Sequence, residues 1–196
     1  MYGPAVVCFK DPDTAFNPSS HDNLGVNDAF PSPWSRFGFT EGPTSFKYNR
    51  TEKSVMSNEY LSPVVRFATM EEGTFALTAK EVNPGQMNTA IGVPFKTVST
   101  SPGNGYAGSE QLVLGGEPAL KVHMWCLSST YINAVGVAFP VRLYIWRGTA
   151  RLMNALAWER EETPNMEIEI SALADVDRQQ GQRMFAYRKL WAPITA

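Results

Sequence analysis

Apolar and polar positions alternate along much of this chain. The cleanest case runs from Asn165 to Ser171. Met166, Ile168 and Ile170 fall on one face there, and Asn165, Glu167, Glu169 and Ser171 fall on the other. A period of two marks a half-buried strand. The same period joins Phe37, Phe39, Phe46 and Tyr48 around a turn read at Glu41-Gly42-Pro43-Thr44. Val64 to Thr69 and Thr74 to Ala79, rich in β-branched and aromatic residues, read as a hairpin that turns at Glu71-Glu72-Gly73. Further strands are expected at Glu52 to Met56, Gln111 to Leu114, Leu120 to Leu127, Ala138 to Trp146 and Arg183 to Trp191. Ala150 to Trp158 suits a short helix or a strand, and its neighbours favour the strand.

One segment carries helical punctuation. Asn83 suits an N-cap, Pro84 the first helical position and Gly92 the left-handed stop. Met87, Ala90 and Ile91 lie between them at helical spacing, so a helix of about two turns over about 83–92 is expected to pack on a sheet. Residues 93–109 read as a loop. Residues 1–35 hold a possible strand at Ala5 to Phe9 and then Asp11-Pro12-Asp13, Asn17-Pro18-Ser19-Ser20 and Pro31-Ser32-Pro33, breaker signals with few apolar residues between them. This stretch reads as an extended N-terminal arm outside the core. The expected fold is mainly β: a sandwich or barrel of short antiparallel strands over 36–196, one domain, with one short flanking helix and the arm.

Composition narrows the classes. The chain has 196 residues, and its 15 Gly and 14 Pro disfavour an all-helical bundle. Its formal net charge is −2, with no basic excess of the kind a nucleic-acid reader or polybasic membrane binder carries. The apolar stretch from Ala134 to Val141 is far short of the roughly 20 residues that span a bilayer. The start, Met1-Tyr2-Gly3-Pro4, has none of the features of a secretory signal, so a soluble protein made in a reducing cytoplasm is expected. The two cysteines, Cys8 and Cys126, are too few for a disulfide scaffold or a four-cysteine metal site. They read as buried free thiols, with a single bridge as the other option.

Candidate chemistry is sparse. Gly103-Asn104-Gly105-Tyr106-Ala107-Gly108 has the letters of a dinucleotide fingerprint but lacks the following helix and acid, and reads as a loop. His123 and Cys126 lack further ligands for a metal and would point to opposite strand faces. His21-Asp22 has no nucleophile beside it. Asn49-Arg50-Thr51 fits a glycosylation acceptor without the secretory context that would use it. Glu71-Glu72, Glu161-Glu162 and Glu167 with Glu169 read as solvated acids rather than a general acid–base pair. No enzyme, cofactor or metal is expected.

The order of segments is similar to that of the tail tube (major tail) proteins of long-tailed bacteriophages. The carriers are Phe37-Gly38-Phe39-Thr40-Glu41-Gly42, then the run from Ser62 to Glu81 leading to Ala90-Ile91-Gly92, and last Met166 to Asp175 followed by Gly181 to Phe185. The resemblance covers roughly 36–192 and is one of pattern rather than of a diagnostic motif. It implies a virion structural protein whose β-sandwich closes into hexameric rings. The rings stack by self-assembly into a hollow conduit for DNA ejection. The implied partners are further copies of itself, a tape-measure protein, tail terminator and baseplate proteins, and an outer sheath if the tail is contractile. Double-stranded DNA would pass without specific binding, and no membrane is involved. Within that reading Asn165, Glu167, Glu169 and Ser171 are candidates for a lumen wall that does not hold DNA. Glu41, Lys47, Arg50, Glu52, Lys53 and Glu59 are candidates, on a loop near 41–63, for contacts between rings or subunits. Two other readings fit the same pattern. One is a different virion part, a capsid decoration or head–tail joining protein. The other is a carbohydrate-binding module, whose glycan site the five Trp and seven Tyr could line.

Overall fold

The computed structural model describes residues 2–38, 40–56, 65–80, 84–91, 96–100, 109–113, 120–154 and 165–191. The described strands are β1 (Tyr2–Lys10), β2 (Ser35–Gly38), β3 (Thr40–Val55), β4 (Val65–Ala79), β5 (Lys96–Thr100), β6 (Ser109–Val113), β7 (His123–Ile132), β8 (Ala138–Leu152), β9 (Met166–Leu173) and β10 (Phe185–Lys189). A helix, α1 (Pro84–Ile91), lies between β4 and β5, and a 3-10 turn (Pro18–His21) lies between β1 and β2. The mainly β expectation holds. Asn83 and Gly92, the expected ends of the helix, lie outside the described residues, as does the Gly103–Gly108 loop.

The main sheet runs β2-β1-β7-β8-β9-β4-β3, with antiparallel neighbours throughout and β10 beside β8. Its two ends are one piece of chain. Gly38 pairs with Val7 of β1, and Thr40, two residues on, pairs with Ala79 of β4. The Thr40 hydroxyl also donates to the Ala5 carbonyl at 2.6 Å. The sheet therefore closes on itself as a barrel. At the seam Gly38 has φ 131°, a backbone state that favours glycine.

Alternation then sorts side chains into an inside and an outside. Val7, Phe37, Phe75, Leu77, Trp125, Leu127, Leu143, Ile145, Met166, Ile168 and Ile170 fill the interior, with Met87 of α1 packed against them. The Trp125 indole donates to the Gly148 carbonyl at 3.2 Å, so its one polar atom is partnered inside the apolar core.

The outer face of β1, β7 and β8 is not wet. Val6, Cys8, Met124, Cys126, Tyr144 and Trp146 form a second apolar cluster there, closed by Phe30 and Trp34 with Phe16 and Leu24 at its margin. This corrects the reading of 1–35 as an extended arm outside the core. β1 is an inner strand between β2 and β7, and residues 11–34 fold back as a lid over the outer face. The breaker-rich sequence misled because its few apolar residues, Phe16, Leu24, Val26, Phe30 and Trp34, are spaced irregularly, as suits a loop that packs rather than a strand.

Three turn and loop assignments also change. Glu71-Glu72-Gly73 lies inside a continuous 15-residue β4 whose partner is β3. Gly73 pairs there with Tyr48, and a Cβ on it would make only ordinary contact with the Ala172 Cβ at 3.4 Å. Gly42-Pro43-Thr44 is a register irregularity inside β3, with Gly42 at φ 70°, and not a turn between strands. Part of the expected 93–109 loop is β5, paired with β6 in a small separate sheet. The expected strand from Leu120 begins only at His123 and runs on to Ile132, and Trp146 lies mid-strand in β8.

Because β1 joins two ladders, removal of residues 1–30 is expected to abolish the cooperative thermal transition and not merely trim a tail. A circular-dichroism melt of the truncated chain checks this. A sharp transition near that of the full chain would return β1 to the role of an accessory arm.

Candidate assembly surface

β3 and β4 are much longer than the barrel needs. β9 pairs with β4 only over Thr74–Ala79. From 65 to 72, β4 pairs with β3 alone among the described residues, so the two strands leave the barrel as a two-stranded ribbon. At about 3.3 Å per residue, a 15-residue strand is about 50 Å long. A two-stranded ribbon is marginal by itself in water.

A bulge sets what this ribbon displays. Thr51 pairs with Met70 and Glu52 with Ala68, which leaves Thr69 as an extra residue whose hydroxyl donates to the Thr51 carbonyl at 3.2 Å. One added residue exchanges the faces of all that follows. Without it, Val65 and Phe67 would share the face of Phe75. With it, they join Val55, Lys53, Thr51 and Met70 on the opposite side. Val55, Val65, Phe67 and Met70 are 46%, 53%, 45% and 53% exposed. The core-side face is charged: Arg50, Glu52, Arg66 and Glu71, with Arg50 Nε 3.6 Å from Glu52 Oε1.

The predicted site residues divide between this ribbon and the barrel wall. Lys47, Arg50, Glu52 and Lys53 are exposed along β3, a paired strand and not the expected loop, and Glu41 at its start pairs with Lys80 at 2.6 Å. Glu59 lies outside the described residues. Asn165 is exposed just before β9, Glu167 is exposed on it, and Glu169 and Ser171 are half-buried. Met166, Ile168 and Ile170 face the core, as their period requires. Glu169 is not a bare carboxylate, because Arg151 of β8 lies 2.5 Å away. Across this wall Glu167 pairs with Thr78, Glu169 with Ala76, and Ser171 with Thr74 and Thr149, so small side chains surround the Glu169–Arg151 pair and a second carboxylate at Glu167.

A groove of about 580 Å³ opens where β9 ends, between the ribbon and β10. Tyr48, Ala68, Met70, Glu71, Met184 and Phe185 line it. The Phe185 ring meets Phe46 and Tyr48 edge-on, with centroids 4.9 and 5.5 Å away. Among the described residues the edge of β10 away from β8 and the edge of β4 over 65–72 carry no strand partner. Two open strand edges thus flank one groove, a geometry that accepts an added strand. The sequence held the apolar residues of this surface but not their exposure, which depends on the bulge.

The buried polar groups cluster instead beneath the lid. Arg142 is 1% exposed, and its guanidinium donates to the carbonyls of His21 at 2.7 Å, Leu24 and Gly25 at 3.3 Å. His21 stacks on Phe30 and lies 3.2 Å through Nδ1 from the Tyr144 hydroxyl. Burial, with Arg142 and Lys10 nearby, pushes the His21 imidazole down to about 4. Burial also raises the Tyr144 hydroxyl and both cysteine thiols, Cys8 to about 11. These groups pack under the lid as a neutral imidazole and protonated thiols. His123 and Cys126 point to opposite faces of β7, His123 toward Phe9 and Trp125 of the interior and Cys126 toward the lid. Among the described residues no group of three His, Cys, Asp or Glu is placed to hold a metal.

Neither known protein families nor curated proteins give a match to this chain. Among the described residues no helix is long and apolar enough to cross a membrane.

Arg142→Met removes the donors that hold three lid carbonyls. It is expected to cost about 2–4 kcal/mol and to raise hydrogen exchange across residues 20–34. Denaturant melts and exchange mass spectrometry check this, and an unchanged lid would refute the role given to Arg142. The pH dependence follows from His21. Its folded pKa lies below its ordinary 6.5, so the unfolded chain binds the proton first. Stability from this group is present above about 6.5 and declines as pH falls toward 4. His123 is shifted down as well, mainly by burial, and adds in the same direction. The urea midpoint should drop between pH 7 and pH 5, and His21→Gln should flatten that drop. An equal drop in the variant would remove His21 as its source.

Proposed function

We propose that this protein is a virion structural subunit that assembles with copies of itself into stacked hexameric rings, forming the tail tube of a long-tailed bacterial virus. The observation that carries the reading is the β3–β4 ribbon. It leaves the barrel, exposes both faces, and bears Val55, Val65, Phe67 and Met70 on one of them. A neighbouring copy that covers this face would bury apolar surface worth about 25 cal/mol per Å². The groove beside it, flanked by two open strand edges, would take a strand of a neighbour and close the sheet between subunits. The wall over β8, β9 and β4, with two carboxylates to one arginine, suits a lumen that passes DNA without holding it, since binding requires many neutralised phosphates. Tape-measure and terminator proteins would meet the same tube at its inside and its end.

One feature favours the carbohydrate-binding alternative. Tyr187 and Trp191 are exposed beside a groove of about 430 Å³ that also holds the Arg188–Asp22 pair, 2.6 Å apart. Aromatic faces next to paired polar groups are suited to sugar rings. Titration with oligosaccharides, followed by tryptophan fluorescence, distinguishes it.

Negative-stain microscopy and sedimentation of concentrated protein test the main reading. Long uniform tubes, or rings of six 21.7 kDa chains at about 130 kDa, are expected. A monomer at every concentration and salt would overturn it. Val65→Lys with Phe67→Lys should weaken assembly by at least about tenfold while shifting monomer stability by less than about 0.5 kcal/mol per site, because both side chains are exposed. Tubes formed equally well by the double variant would remove the ribbon as the contact.

A further inference from the structure

Cys8 and Cys126 are direct partners in the antiparallel pairing of β1 with β7. The register is regular on both sides of them, from Val6 opposite Ser128 to Lys10 opposite Met124. Both side chains belong to the lid-side cluster, so they share one face of the sheet. Facing residues on antiparallel strands have Cα atoms about 4.5–5.5 Å apart. Disulfides span about 4.4–6.8 Å between Cα atoms, so the backbone already has the spacing of a bridge. Both cysteines are free and buried. Around them the same row continues to Arg36 beside Cys8 and Tyr144 beside Cys126.

We propose that Cys8 and Cys126 are a latent cross-strand bridge, a site of covalent modification that staples β1 to β7 when the protein meets a small-molecule disulfide. The chemistry is thiol–disulfide exchange. One cysteine thiolate attacks the oxidant disulfide, forming a mixed disulfide and releasing one small thiol. The second cysteine thiolate then attacks the protein sulfur of that mixed disulfide and releases the second small thiol. The two cysteines lose two protons and two electrons, and the oxidant is reduced by the same two electrons. The lid over 11–34 covers both sulfurs, and burial holds both thiols protonated, so the exchange waits on lid opening. A chain that passes from a reducing to an oxidising milieu would acquire the bridge at a rate set by that opening.

The test is the equilibrium of the whole protein with mixtures of reduced and oxidised glutathione, in buffer and in unfolding urea. Free thiols are trapped by alkylation and the bridged form, lighter by two hydrogens, is read by intact mass. Refolding the reduced chain directly into each mixture removes any barrier from the lid. The fold should favour the bridge over the unfolded chain by at least about tenfold in effective thiol concentration, and the bridged protein should melt at higher temperature by linkage. A smaller ratio, or a mixed glutathione adduct as the main product in buffer, would overturn the proposal.

Discussion

Everything in this fold hangs on the fact that one run of chain, residues 35–55, supplies both ends of the sheet. Its first residues pair with β1 and the next pair with β4, so the ladder returns to its start. Closure joins the two ends of the sheet through one run of chain and turns alternation into a true inside and outside. The seam is narrow. It depends on Gly38 adopting a backbone state that other residues avoid, and on the Thr40 hydroxyl bound to the Ala5 carbonyl.

A closed barrel would ordinarily present its outer face to water. Here the part of that face over β1, β7 and β8 is apolar, and the segment from 11 to 34 is what keeps it dry. A loop of this length makes few backbone pairings of its own, so its position must be fixed by side chains. Arg142 does this by projecting from β8 into the loop and satisfying carbonyls at three residues. Arg178 adds a second tie: it pairs with Asp175 at 3.1 Å, donates to the Asp13 carbonyl at 3.0 Å and lies over the Trp146 ring. Two arginines, one from β8 and one from the segment before β10, thus bind backbone carbonyls of the lid.

Local patterns carried the fold class and the strand face at Met166, Ile168 and Ile170, because a period of two is visible wherever one face is wet. They failed where the meaning of a residue depends on distant partners. Glu71-Glu72-Gly73 has turn chemistry, yet it lies inside β4, where each of the three residues pairs with one of β3. Arg142 sits in an apolar period with Tyr144 and Trp146, which no local rule reads as a buried tether. The candidate acids were placed correctly on the wet side of β9, but the Arg151 partner of Glu169 comes from another strand and could not be seen along the chain. The ribbon was the least legible part. Its strands were recognised in pieces, while its projection follows from where β9 stops pairing.

The extra residue at Thr69 makes the ribbon a device of parity. A substitution at any position between 65 and 70 alters one side chain and leaves the others where they are. Loss of Thr69, the surplus residue, would leave every pairing and face as it is, whereas a residue lost between 65 and 67 with the bulge intact would exchange the faces of those beyond it. Replacements therefore change what a face of this ribbon displays but not which residues lie on it, whereas a change of length beyond the bulge changes both, the reverse of the tolerance to insertion usual for a hairpin far from a core.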